Sequence, residues 1–165
     1  MSLHQSIAPR TEQDTLGAYL DSLSSIERLH RLLLDVIKDE FERLGLLEVN
    51  AVQALLLFNI GESELTAGEL KSRGYYQGSN VSYNLKKLVE MGYMHHQRCQ
   101  VDRRSVRVKL TEKGREIRTI VSDLFERHAN ALDGSESLNR ERLTEVNGSL
   151  QKLERFWSDQ IRYIY

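Results

Sequence analysis

Asp102, Arg103 and Arg104 stand side by side in CQVDRRSVRVKLTEKG, residues 99–114, within a polar turn between two runs of alternating character. Val106, Val108 and Leu110 interleave with Arg107 and Lys109, the period-two pattern of a half-exposed strand, so the turn is read as the tip of a β-hairpin. A guanidinium is always charged and only lightly hydrated. It therefore suits a narrow DNA minor groove, where negative potential is concentrated. Arg103 and Arg104 are the first candidate nucleic-acid contacts. Asp102 would repel phosphate, and it makes sense if its carboxylate holds a neighbouring guanidinium through charge-assisted hydrogen bonds.

A second cluster lies just upstream. Residues 79–90 read as a helix with Val81, Leu85, Leu88 and Val89 on its buried side. Ser79, Tyr83, Lys86 and Lys87 fall opposite, with Asn80 and Ser82 on the flanks, and the neighbouring Tyr83 and Asn84 are both expected to be exposed. A B-DNA major groove admits a helix, and hydroxyl, amide and ammonium groups match base edges and phosphates. Ser79, Asn80, Ser82, Tyr83, Lys86 and Lys87 therefore join the candidate DNA contacts.

The elements that must hold these residues follow from spacing and caps. Apolar residues from Leu16 to Leu44 recur in steps of three and four, which predicts one long helix over 14–44 ended by Gly45. A second helix over 49–60 is apolar nearly all round and should be buried on several sides. GESEL forms a turn with a short strand. Thr66 and Glu69 have capping-box spacing and open a short third helix, AGELKSR. The helix over 79–90 ends at Gly92, and strands YMHHQRC and SVRVKL follow. Thr111 caps a helix running to about residue 132, DGSES breaks it, and a last helix spans 138–164 with Leu143, Val146, Leu150, Leu153 and Trp157 as a partner seam. The fold class is mainly α with a small β wing: a winged helix-turn-helix between long N- and C-terminal dimerisation helices. The expected organisation is a loose arm over 1–13, a dimerisation helix over 14–44, a winged core over 45–115 and dimerisation helices over 116–165.

Composition bounds the function. The 165 residues are 40% hydrophobic and 28% charged, which fits a folded chain. The net charge of -1 conceals an asymmetry: residues 66–115 hold eleven Lys and Arg against four acids, a net +7, leaving -8 for the flanks. A basic middle between acidic arms points to a polyanion partner. The N-terminus lacks a signal-peptide core and no apolar run suits a bilayer, so no membrane partner and a cytoplasmic setting are expected, in keeping with a single cysteine. Cys99 beside Arg98 is read as a small side chain rather than a redox switch. His95 and His96, adjacent on a strand, point to opposite faces, and no zinc site or other cofactor is expected. There is no paired-carboxylate site, nucleophile–base arrangement or P-loop, so the chain is read as non-enzymatic.

The segment ELTAGELKSRGYYQGSNVSYNLKKLVEMGYMHHQRCQVDRRSVRVKLTEKG resembles the winged-helix core of the MarR family of bacterial transcription regulators, most specifically in the D-x-R, strand and L-T-x-x-G run at the wing. That resemblance implies a homodimer built on the first and last two helices, binding double-stranded DNA at a pseudo-palindromic site. It also implies that Asp102 orients Arg104 into the minor groove. A small apolar or aromatic effector between the dimer helices and the reading head follows from the same likeness, with Ile37, Phe41, Leu55 and Phe58 as the expected pocket wall. The wording is closest to regulators of L,D-transpeptidases, which implies control of cell-wall remodelling genes. A rival reading uses the same surface as a winged-helix module that binds a protein rather than a DNA sequence.

Overall fold

The computed structural model describes residues 11–66, 68–69, 78–98 and 106–164. Helix α1 (Thr11–Arg43) is one continuous element of 33 residues, about 50 Å long at the usual rise per residue. Only its C-terminal end is buried, at Ile37, Glu40 and Phe41. Glu40 is paired there with Arg43, whose Nη2 and Nε donate to the two carboxylate oxygens at 2.8 and 3.2 Å. Further along, Leu16, Leu20, Leu29 and Leu32 are each about half exposed or more. The helix stops in a Schellman turn. Gly45, at φ 70°, donates to Glu42 O, and Leu46 N–H reaches back to Phe41 O at 2.9 Å.

Helix α2 (Ala51–Ile60) begins at a capping box. Asn50 Oδ1 accepts from Gln53 N–H at 2.8 Å, and Gln53 Oε1 accepts from Asn50 N–H at 3.2 Å. No residue of α2 is exposed, as its all-round apolar sequence requires. Strand β1 (Leu65–Thr66) follows. The expected box at Thr66 is present: Thr66 Oγ1 accepts from Glu69 N–H at 3.0 Å and Glu69 Oε2 from Thr66 N–H at 3.2 Å. The body of the third helix expected from AGELKSR lies outside the described residues.

Helix α3 (Gly78–Glu90), strand β2 (Met94–Arg98) and strand β3 (Val106–Leu110) come next. The three strands form an antiparallel sheet in the order β1-β3-β2, with His96 opposite Val108, Gln97 opposite Arg107 and Leu65 opposite Val108. One face presents Met94, Val108 and Leu110 to the core, where Leu56, Leu57, Ile60, Leu85 and Leu88 are also buried. The other face carries His95, Gln97, Arg107 and Lys109, all exposed.

Helix α4 (Glu112–Asp133) and helix α5 (Arg140–Ile164) complete the chain. Asn139 caps α5 through its side chain, accepting from Arg142 N–H at 3.1 Å, so the helix starts two residues later than the apolar seam alone suggested. The chain divides into two compact units, Met1–Arg118 and Thr119–Tyr165. Within α5, Val146, Leu150, Phe156 and Ile161 are exposed at 44–64%.

Candidate nucleic-acid interface

The start of α4 explains the L-T-x-x-G run at Leu110–Gly114 in physical terms. Leu110 is buried. Thr111 Oγ1 donates to Gly92 O at 2.7 Å and accepts from Gly114 N–H at 3.1 Å, while Thr111 N–H donates to Tyr93 O at 3.1 Å. A Cβ on Gly114 would land on the Tyr93 carbonyl oxygen, so the two backbones meet where only glycine fits. Gly92, at φ 81°, ends α3 in a second Schellman turn, with Tyr93 N–H donating to Leu88 O at 2.9 Å. The end of α3, the wing and the start of α4 are thus one hydrogen-bonded knot.

From that knot α3 presents its outer face. Ser82, Lys86, Lys87 and Glu90 are exposed and Tyr83 is 62% exposed. Neither Lys86 nor Lys87 has an ion-pair partner among the described residues. Ser79 and Asn80 lie in the first turn of the same helix. Asn84 corrects the expectation of an exposed Tyr83–Asn84 pair, because it is buried with only 9% exposure. Its polar amide misleads. Its place beside Leu85 and one turn before Leu88 puts it on the inward stripe. Asp102, Arg103 and Arg104 lie outside the described residues, as does Cys99.

A recess of about 450 Å³ runs between α3 and the sheet, lined by Ser82, Leu85, Lys86, Val89, Glu90, His96 and Val108. His95 and His96 do face opposite sides of the sheet. His96 lines this recess, and His95 lines a smaller one of about 250 Å³ with Glu64, Gln97, Arg107 and Lys109. The four residues expected to wall an effector pocket are dispersed in burial. Ile37 and Phe41 are packed in the core, and Leu55 and Phe58 are half-buried. None of the four lines either recess.

Sequence reasoning missed a cluster beneath α3. Tyr93 Oη donates to Glu48 Oε2 at 2.8 Å, and Lys113 Nζ lies 3.5 Å from the same oxygen. The ammonium also donates to Met91 O at 3.2 Å and sits 4.3 Å from the centre of the Tyr93 ring. Burial first, and the Glu48 carboxylate second, push the Tyr93 hydroxyl up to about 12, so it stays a donor throughout the neutral range. Tyr93 and Glu48 are 45 residues apart in sequence, and no local pattern announces the contact.

A buried core under an exposed, cationic helix, with an antiparallel hairpin behind it, defines a winged helix-turn-helix DNA-binding protein. Residues 49–114 match the family model described as a winged helix DNA-binding domain. The chain is 34% identical over 154 residues to the exopolysaccharide II synthesis transcriptional activator ExpG of Rhizobium meliloti (strain 1021), covering 93% of this chain and 79% of that protein. In structure it is similar to a MarR transcriptional regulator from Methanosarcina mazei Go1, with a TM-score of 0.61, 25% identity and coverage of 82% of this chain and 95% of that one. It also shares its fold with a MarR family regulator from Listeria monocytogenes complexed with 26mer DNA, with a TM-score of 0.71, 20% identity and coverage of 86% and 92%. The chain belongs to the MarR family of winged-helix transcription regulators; it is a DNA-binding protein and not an enzyme. Among the described residues, no helix is long and apolar enough to cross a membrane.

Proposed function

We propose that the chain acts as a homodimer that reads a pseudo-palindromic operator, with α3 in the major groove and the wing tip in the flanking minor groove. The observation that carries this reading is the outer face of α3. Ser82, Tyr83, Lys86 and Lys87 are exposed there together, and neither lysine is ion-paired among the described residues. Ser79, Asn80, Ser82 and Tyr83 read bases or anchor the helix, and Lys86 and Lys87 neutralise phosphate. Arg103 and Arg104 enter the minor groove, with Asp102 orienting Arg104. The dimer follows from the half-exposed leucines of α1 and the exposed apolar residues of α5, which a second copy would cover. A twofold axis then sets the half-sites about 34–36 Å apart, one turn of DNA.

An effector that favours the head spacing unsuited to DNA would release the operator, since only differential affinity shifts such an equilibrium. Ile37, Phe41, Leu55 and Phe58 offer the apolar surface for it, with Leu55 and Phe58 half-buried. On the resemblance to L,D-transpeptidase regulators, we read the regulated genes as those of cell-wall remodelling. The relative from R. meliloti is named for the synthesis of an exopolysaccharide.

Capture and sequencing of the genomic fragments bound by the purified protein tests this reading. The expected result is a short inverted repeat upstream of cell-envelope genes. On that repeat, Arg104→Ala is expected to weaken binding by roughly 1–3 kcal/mol, with the dimer intact by sedimentation. Recovery of sequence-random fragments, or unchanged affinity of the variant, overturns it.

A further inference from the structure

Helix α3 is held at its C-terminal end from two sides. On one side Thr111 and Lys113, at the start of α4, bond to the carbonyls of Gly92 and Met91. On the other, the Tyr93 hydroxyl reaches Glu48 in the loop between α1 and α2. Glu48 Oε2 is where the two meet, because it also faces the Lys113 ammonium. The ion pair in this cluster adds little to stability, because the Glu48 and Lys113 side chains are about half exposed and exposed ion pairs contribute little. A phenylalanine would fill the buried ring site as well as Tyr93 does. Beyond one hydrogen bond, the hydroxyl adds direction: it ties the segment just after the recognition helix, itself bonded back to Leu88 O, to the loop that leads out of α1.

The lever this controls is long. Thirteen residues of helix extend about 20 Å, so a pivot of about 5° at the C-terminus moves the N-terminal turn by roughly 2 Å. That turn carries Ser79, Asn80 and Ser82. A displacement of that size takes a hydrogen bond from good geometry to none. We propose that Glu48, Tyr93 and Lys113 form a positioning latch that fixes the pitch of α3 against α1, and thereby the separation of the two recognition helices in the dimer. The inference rests on the dimeric reading above. The three residues touch no DNA themselves; they act through α3.

The test uses full-length protein and the tightest duplex that wild type selects from random sequence, together with derivatives lengthened or shortened at the centre by one base pair. One base pair rotates one half-site by about 35° against the other, so wild type should lose at least about tenfold in affinity on either derivative. Tyr93→Phe keeps the ring and removes the bond. It is expected to bind the parent duplex several-fold more weakly and to distinguish the three spacings by less than about threefold. Glu48→Ala should behave the same way. Glu48→Gln retains an acceptor and should restore most of the discrimination. The salt dependence of all three variants should match wild type, since no phosphate contact is removed. Weaker binding with the wild-type spacing ratio intact would mean a merely structural role and overturn the latch. Wild type that binds one half-site as a monomer, or ignores spacing altogether, would instead overturn the dimeric reading and the latch with it.

Discussion

Gly114→Ala is the most demanding perturbation of the knot that holds the reading head. In an ordinary helix the exchange would stabilise by about 1 kcal/mol. Here the new Cβ meets the carbonyl oxygen of Tyr93, which is backbone and cannot swing away. Relief requires α4 to separate from the turn after α3. That stretches the bonds from Thr111 N–H to Tyr93 O and from Thr111 Oγ1 to Gly92 O, at 3.1 and 2.7 Å. Two such bonds contribute about 1 kcal/mol each, and overpacking a tight site costs about 1–3 kcal/mol, so the net expectation is a loss of about 2–4 kcal/mol. Urea unfolding followed by circular dichroism, at one fixed protomer concentration, measures it. Gly148→Ala is the comparison. Gly148 lies mid-α5 with nothing within 4 Å of its added Cβ, and on the side of the helix away from Val146 and Leu150. There the same exchange should stabilise by roughly 0.5–1 kcal/mol. If Gly114→Ala unfolded with wild-type stability, the explanation given for the L-T-x-x-G run would be wrong.

Three further outcomes are expected. Asn50→Ala removes the side-chain half of the α2 capping box and should cost about 1 kcal/mol in the same unfolding assay. Tyr93→Phe should be less stable than wild type at neutral pH, and the gap should narrow as pH rises from 10 towards 12. Over that window Tyr93 ionises in the unfolded chain while the folded hydroxyl, raised to about 12, still holds its proton, so wild type alone loses stability from this group. Leu20→Glu in α1 and Leu150→Glu in α5 should each shift the protein towards monomer in sedimentation without loss of helicity by circular dichroism, because each places a charge in the face that a second copy would cover.

Much of the scaffold is legible in the sequence because short-range rules govern it. The three-four spacing of leucines in α1, the Thr66–Glu69 box, the alternation at Val106–Leu110 and the glycines after α1 and α3 each act within a few residues. The outward side of α3 follows from the same periodicity. Asn84 reads as exposed because of its amide, whereas its spacing from Leu85 and Leu88 places it inward, and the spacing prevails. Ile37 and Phe41 illustrate a different limit. An apolar pair on one helix face reads alike whether it walls a pocket or fills a core, and here both side chains are buried in the core. The Glu48–Tyr93–Lys113 cluster was invisible because it joins a loop, a helix end and a helix start that only the tertiary fold brings together.

The central claim is that cations on α3 and on the wing grip DNA phosphate and groove from a twofold scaffold. Its most direct test is the affinity of wild type and of the Lys86→Ala/Arg104→Ala double variant for the selected duplex, by fluorescence anisotropy across a salt series. Wild type should bind as one dimer per duplex with affinity falling steeply as salt rises, and the double variant, which removes two cations from each protomer of the dimer, should lose roughly three to four units of the log–log slope. A wild-type affinity indifferent to salt, or a slope unchanged by removing both cations, would contradict the account.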